Sequence, residues 1–227
     1  MSARLPDQVT VDRESDGTAV VTINRGPQFN TLSIETLEAL DTVFVALAAD
    51  SSCVAVIVTG AGGESFAAGA DLREVGSLTP RSALAFAARG QRVFDRIERA
   101  PQIVLAAIDG YCMGGGLDLA LACDIRHASP RSTFAHPGSI RGIMTGFGGT
   151  GRLPRLVGRS RAIELFATGS RISADEALEI GLIDRVNGDP LESTREAAAL
   201  ICDRWPEASA WMKGSAVRWW RKGRSGH

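Results

Sequence analysis

Two glycine-centred segments, Phe66-Ala67-Ala68-Gly69-Ala70-Asp71-Leu72 and Gly110-Tyr111-Cys112-Met113-Gly114-Gly115-Gly116-Leu117-Asp118, hold the residue types from which an oxyanion hole is built. Each follows an apolar, strand-like run, residues 53–59 and 103–109, and the second opens a helix-like stretch over 116–123. Glycine at such a turn permits positive φ and lets a ligand oxygen reach the main chain without meeting a Cβ. An N–H group there has no intrahelical partner, and a helix N-terminus adds positive potential. Two such donors converging on one oxygen would stabilise an oxyanion. Either segment alone reads as a turn, so the pairing carries the inference.

The elements that must position these donors alternate between strand and helix. Residues 9–11 and 18–24 form a strand pair around the Asp16-Gly17 turn, the second strand mostly buried. Ser33 caps a helix with Leu37, Leu40, Phe44 and Leu47 on one face and Glu35, Glu38 and Asp41 on the other. Thr79-Pro80 starts a helix that runs to about Arg99, with Pro101 beyond its end. Ser160 and Gly169 bracket another, and Ser173 with Glu176 predicts a capping box whose helix stops at Gly181. Helical stretches over 191–204 and 207–221 close the chain. The rhythm predicts an α/β architecture with largely parallel strands, without separating a spiral from an open doubly wound sheet.

Composition bounds the function. With 227 residues, 44% hydrophobic and 22% charged, the chain suits one sizeable domain with a small appendage. A formal net charge of −1 gives no general attraction to nucleic acid or to a membrane surface, and the basic stretch over 213–224 reads as a solvated helix face. Cys53, Cys112, Cys123 and Cys202 lack CxxC spacing and read as reduced thiols of an intracellular protein. No apolar run approaches the ~18 residues of a membrane span, so a cytoplasmic location is expected. Gly60-Ala61-Gly62-Gly63 lacks GxGxxG spacing, and no glycine run leads to a Walker lysine. No Gly-x-Ser-x-Gly elbow, HExxH or metal cluster among His127, His136 and His227 is present. Trp211, Trp219 and Trp220 read as packing a terminal helix.

Five ordered blocks resemble the enoyl-CoA hydratase/isomerase, or crotonase, family. They are residues 24–32, both glycine segments with Cys123-Asp124-Ile125-Arg126, residues 146–155, and Ala174-Asp175-Glu176-Ala177 with Gly181-Leu182-Ile183. The resemblance implies a right-handed spiral of ββα turns over residues 1–190, with a C-terminal helical oligomerisation segment over 191–227 and a homotrimer or dimer of trimers. It implies an acyl-CoA thioester as substrate, with CoA as part of it and no separate cofactor, and the N–H groups of Ala70 and Gly115 as the oxyanion donors. Ala68, Asp71, Leu72, Arg73 and Gly114 would line the CoA side of the site, with Arg25 near the nucleotide. Arg25 equally suits a solvated surface charge, and Asp71 a helix N-cap.

Hydratases of this family place one glutamate three residues after the middle glycine and a second in a Phe-Gly-x-Pro-Glu stretch. Here the first position is Asp118 and the second is Gly138, in Phe134-Ala135-His136-Pro137-Gly138. The resemblance therefore implies Asp118 as the acid/base, although a first-turn aspartate is also at home there electrostatically. His136 is a possible substitute base. The expected reaction is hydration of a 2-enoyl-CoA to a 3-hydroxyacyl-CoA. The alternatives are isomerisation or other single-base enolate chemistry, or an acyl-CoA-binding protein of weak activity. The loop from Gly76 to Arg89 is expected to set the pocket size.

Overall fold

The computed structural model describes residues 8–204 and 211–215. Most of the expected helix over 207–221, with Trp219 and Trp220, lies outside the described residues; Trp211 is exposed.

Strands β1 (Val9–Arg13) and β2 (Thr18–Ile23) form an antiparallel hairpin that sets Val9 against Ile23 and Arg13 against Ala19. Its turn relies on Gly17 at φ +94° and on the Asp16 carboxylate, which accepts from the Thr18 N–H at 2.9 Å. Helix α1 (Ile34–Ala48) starts where Ser33 accepts from the Thr36 N–H, and it buries Leu37, Leu40, Phe44 and Leu47.

Three ββα turns follow. The first is β3 (Ala55–Gly60), β4 (Ser65–Ala67), then α2 (Leu72–Gly76) and α3 (Pro80–Glu98). The second is β5 (Ile103–Ile108), β6 (Tyr111–Met113) and α4 (Gly115–Ala122). The third is β7 (Ile125–Ala128), β8 (Thr133–Ala135), then α5 (Gly149–Val157) and α6 (Arg159–Thr168). Short strand β9 (Ile172–Ser173), α7 (Ala174–Glu179), β10 (Arg185–Val186) and α8 (Pro190–Arg204) complete the described elements.

The first strand of every turn joins a six-stranded sheet, β1-β2-β3-β5-β7-β10, and the second joins a four-stranded sheet, β4-β6-β8-β9. The turns thus stack in parallel, β3 on β5 on β7 and β4 on β6 on β8. Crossovers of this kind are right-handed because a twisted strand feeding a helix returns to its sheet only that way.

The inner strands β2, β3 and β5 of the larger sheet are covered on both faces, which explains their apolar runs, whereas the edge strand β1 is largely exposed. In β3, Val56 and Val58 enter the main core beneath α1, α3 and α4, while Ala55 and Ile57 point into a smaller cluster. That second cluster joins Val20, Leu105 and Ala107 to Ala198 of α8.

Local details depart from the sequence expectations. Helix α4 begins at Gly115, one residue early, and α6 begins at Arg159 with Gly158 at φ +80°, so Ser160 lies inside the first turn. Ser173 accepts from the Glu176 N–H at 3.2 Å, but the Glu176 carboxylate is taken by Arg161 at 2.7 Å, which leaves the reciprocal half of the capping box unmade. The segment 76–89 is no open loop: it is the end of α2 and the first half of α3, where Thr79 and Ser82 form a capping box.

Candidate active site

The two glycine segments meet. Beyond β4 the chain continues beside Leu32: the Leu32 N–H donates to Gly69 O at 2.7 Å and the Asp71 N–H to Leu32 O at 3.3 Å. In such a ladder the intervening residue faces the other way, so the Ala70 N–H points towards the start of α4. Gly69 is at φ +97°, and a Cβ there would stand 2.9 Å from Met113 O. On the other side Gly114, at φ +51°, turns the chain so that Gly115 opens α4. An ideal Cβ on Gly115 would lie 3.5 Å from Ala70 N and 2.8 Å from the Phe147 ring. A side chain at 115 would therefore collide with the Phe147 ring, while a Cβ at 69 would press on Gly115 N at 3.2 Å.

Asp118 lies one turn into α4, with no exposed surface. Its Oδ2 accepts a hydrogen bond from the Thr145 hydroxyl, while Oδ1 has no hydrogen-bond partner and sits 3.4 Å from His136 Nε2. Burial pushes this carboxyl up to about 6, against the opposing effects of the Thr145 hydroxyl, the Gly149 N–H, Arg152 and the Phe147 N–H. Burial also drives His136 down to about 4, so its ring is neutral at pH 7 and the contact with Asp118 is no ion pair. Both ring nitrogens are buried without partners, and the ring lies 4.9 Å from that of Phe166. Buried polar atoms are nearly always paired, so three such atoms gathered at one place are unusual, and two of them, Asp118 Oδ1 and His136 Nε2, face each other.

Gly138 opens a tight turn in which its carbonyl accepts from Arg141 and Ile143 N–H groups at 2.9 and 2.8 Å. A Cβ at 138 would come 2.2 Å from Ile143 O. This backbone has no room for a carboxylate side chain at that position.

A cavity of about 670 Å³ runs past the two N–H groups. Ala68, Ala70, Leu72, Gly114, Gly115 and His136 line it, as do Thr145, Phe147 and the α3 residues Phe86 and Ala87. Asp118, Asp71, Arg73 and Arg25 do not. The Arg25 guanidinium is held 3.1 Å from Asp71 and donates to Thr31 O at 2.6 Å, so it is not a loose surface charge. Asp71 caps α2 through the Arg73 N–H. Thr145, Phe147 and Gly149 were not marked as site residues by the sequence. Gly149 had a signal, as one of a glycine pair, and a Cβ on it would stand 1.8 Å from Asp118 Oδ1. Among the described residues no three His, Cys, Asp or Glu side chains gather as a metal site.

The enoyl-CoA hydratase/isomerase family model matches residues 13–218. The chain belongs to this family. Enoyl-CoA hydratase/isomerase membership places it among enzymes that act on acyl-CoA thioesters. It is 43% identical over 192 residues to a short-chain-enoyl-CoA hydratase of Clostridium acetobutylicum, an overlap of 84% of this chain and 74% of that protein. An enoyl-CoA hydratase structure from Bacillus anthracis superposes with a TM-score of 0.90 at 36% identity, over 92% of this chain and 82% of that one. DspI of Pseudomonas aeruginosa also reaches 0.90, at 34% identity, over 93% and 81%. The ββα spiral is thus the crotonase fold.

Proposed function

We propose that the protein hydrates a 2-enoyl-CoA to a 3-hydroxyacyl-CoA. The observation that carries this reading is the approach of the Ala70 and Gly115 N–H groups at one end of the cavity. Water oxygen adds to C3, and the electron pair moves through C2 onto the thioester oxygen. The two N–H donors stabilise that oxyanion, each typically contributing ~2.7–4 kcal/mol. Asp118 takes the proton of the water and returns one to C2, so a single carboxylate serves both halves of the reaction. Ala68, Leu72 and Gly114 border the acyl-thioester path. Arg25, Asp71 and Arg73 gather at the start of α2, where the exposed Arg73 can reach CoA phosphate.

Hydration reduces the absorbance of the conjugated thioester. Wild-type protein is expected to consume crotonyl-CoA with 3-hydroxybutyryl-CoA as product, and Asp118→Ala is expected not to. Consumption unchanged by Asp118→Ala removes Asp118 from the reaction. Tight binding of crotonyl-CoA without turnover favours the second reading, a single-base enolate enzyme such as an isomerase, or an acyl-CoA-binding protein. The closed turn at Gly138, which leaves no room for a second carboxylate, speaks for the acyl-CoA-binding protein and against the simplest isomerase.

Segment 191–227 is proposed to build a homotrimer or a dimer of trimers, which sedimentation at micromolar concentration would reveal. We place the protein in the cytoplasm, in keeping with the unpaired thiols of Cys53, Cys112, Cys123 and Cys202. No helix among the described residues is long and apolar enough to cross a membrane.

A further inference from the structure

We propose that the Thr145 hydroxyl carries protons between the cavity and the buried Asp118 carboxylate. Asp118 has no exposed surface and is absent from the cavity wall, so a cavity water or substrate carbon needs an intermediary to exchange protons with it. Thr145 is half-buried, lines the cavity and donates its hydroxyl hydrogen to Asp118 Oδ2. A hydroxyl both accepts and donates, which suits it to a relay. His136 also lines the cavity and stands near Asp118, but both its nitrogens are buried away from the opening and its ring is neutral.

The segment bearing Thr145 is held in place from α3. Gln91 Nε2 donates to Gly146 O at 2.7 Å, and a Cβ on Gly146 would meet the Ala87 methyl at 3.2 Å. Before it, Gly142 at φ +65° reverses the chain after the short turn at 139–141. The hydroxyl is thus fixed between a helix on one side and a carboxylate on the other.

In the relay, an O–H bond of a cavity water breaks as its proton moves to Thr145 Oγ. The original Thr145 proton moves to Asp118 Oδ2, which becomes a neutral carboxyl. The reverse sequence delivers a proton to C2 of the enolate. No net charge accumulates on Thr145, and no other reactant is required.

The relay rests on the hydratase reading only in assigning Asp118 as the acid/base, so its test uses a reaction that does not need hydration. The readout is exchange of the C2 protons of butyryl-CoA in D2O, measured beside crotonyl-CoA hydration for wild type, Thr145→Val and Thr145→Ser. Thr145→Val is expected to slow exchange by ~10²-fold or more, within the range of general acid–base catalysis, with the dissociation constant for butyryl-CoA unchanged. Thr145→Ser is expected to restore most of the rate. Burial raises Asp118 and the Thr145 hydroxyl and Arg152 lower it, while the titratable groups beside it are His136 at 3.4 Å and the buried Cys112 thiol. Loss of the hydroxyl should raise the acidic limb and also lower the plateau. A raised limb with a wild-type plateau would overturn the relay, leaving Thr145 as a support for the carboxylate. Exchange without hydration by wild type would remove the hydratase reading while the Val/Ser contrast still decides the relay; neither reaction in wild type would overturn both.

Discussion

Asp118 stores electrostatic free energy whose sign can be read from its position. Its carboxyl is raised from 3.8 in the unfolded chain to about 6 in the fold, so the folded state binds the proton more tightly between those values. Stability contributed by this group is therefore present at low pH and is lost as pH rises through about 4 to 6, by ~3 kcal/mol at most. His136 acts oppositely, since its lowered value makes folding weaker as pH falls from 6.5 towards 4. The difference between wild type and Asp118→Asn isolates the carboxyl: in urea titrations, the variant should gain on wild type at pH 7.5 relative to pH 4. At Gly138 the expectation is steric. Gly138→Glu should fail to raise hydration and should cost ~1–3 kcal/mol in thermal unfolding, because the new Cβ meets Ile143 O. Gly115→Val should lower turnover by ~10²-fold or more, as its branched side chain strikes the Phe147 ring and displaces an oxyanion donor.

At the scale of elements, α3 and α5 control the site through Phe147. Gly90 sits in the middle of α3, where glycine normally costs ~1 kcal/mol relative to alanine. It is kept from gaining a side chain by the Phe147 ring, 2.1 Å from where a Cβ would be. The same ring packs edge-on against Phe86 and Phe94 and covers Gly115. Gly90→Ala should therefore push the ring towards the oxyanion donors and reduce turnover despite the better helix propensity. Adding Phe147→Leu to Gly90→Ala should recover part of that loss, which steady-state kinetics of the single and double variants would measure. Arg152 of α5, nearly buried, ties α5 to α3 through Asp95 at 2.6 Å and Glu98 at 2.9 Å. None of these contacts is a periodicity signal, so helix patterns place α3 and α5 without revealing how one constrains the other.

For the whole molecule, α8 covers the outer face of the larger sheet and completes its second core. Leu105→Ala, from full burial beneath that helix, should cost ~2–5 kcal/mol in denaturant unfolding. The strand runs, the Ser33 and Thr79 caps and the two glycine turns were legible because local sterics and hydrogen bonding decide them within a few residues. So was membership of an acyl-CoA-processing family, since its ordered glycine blocks encode backbone shapes that other residues cannot adopt. Tertiary structure alone decided the rest. The burial of Asp118, its hydrogen bond from Thr145 27 positions away, the capture of Arg25 by Asp71 and the exclusion of a side chain at 138 all depend on segments distant in sequence. Their physical basis is desolvation and steric contact, which act through space and exist only once the spiral has closed.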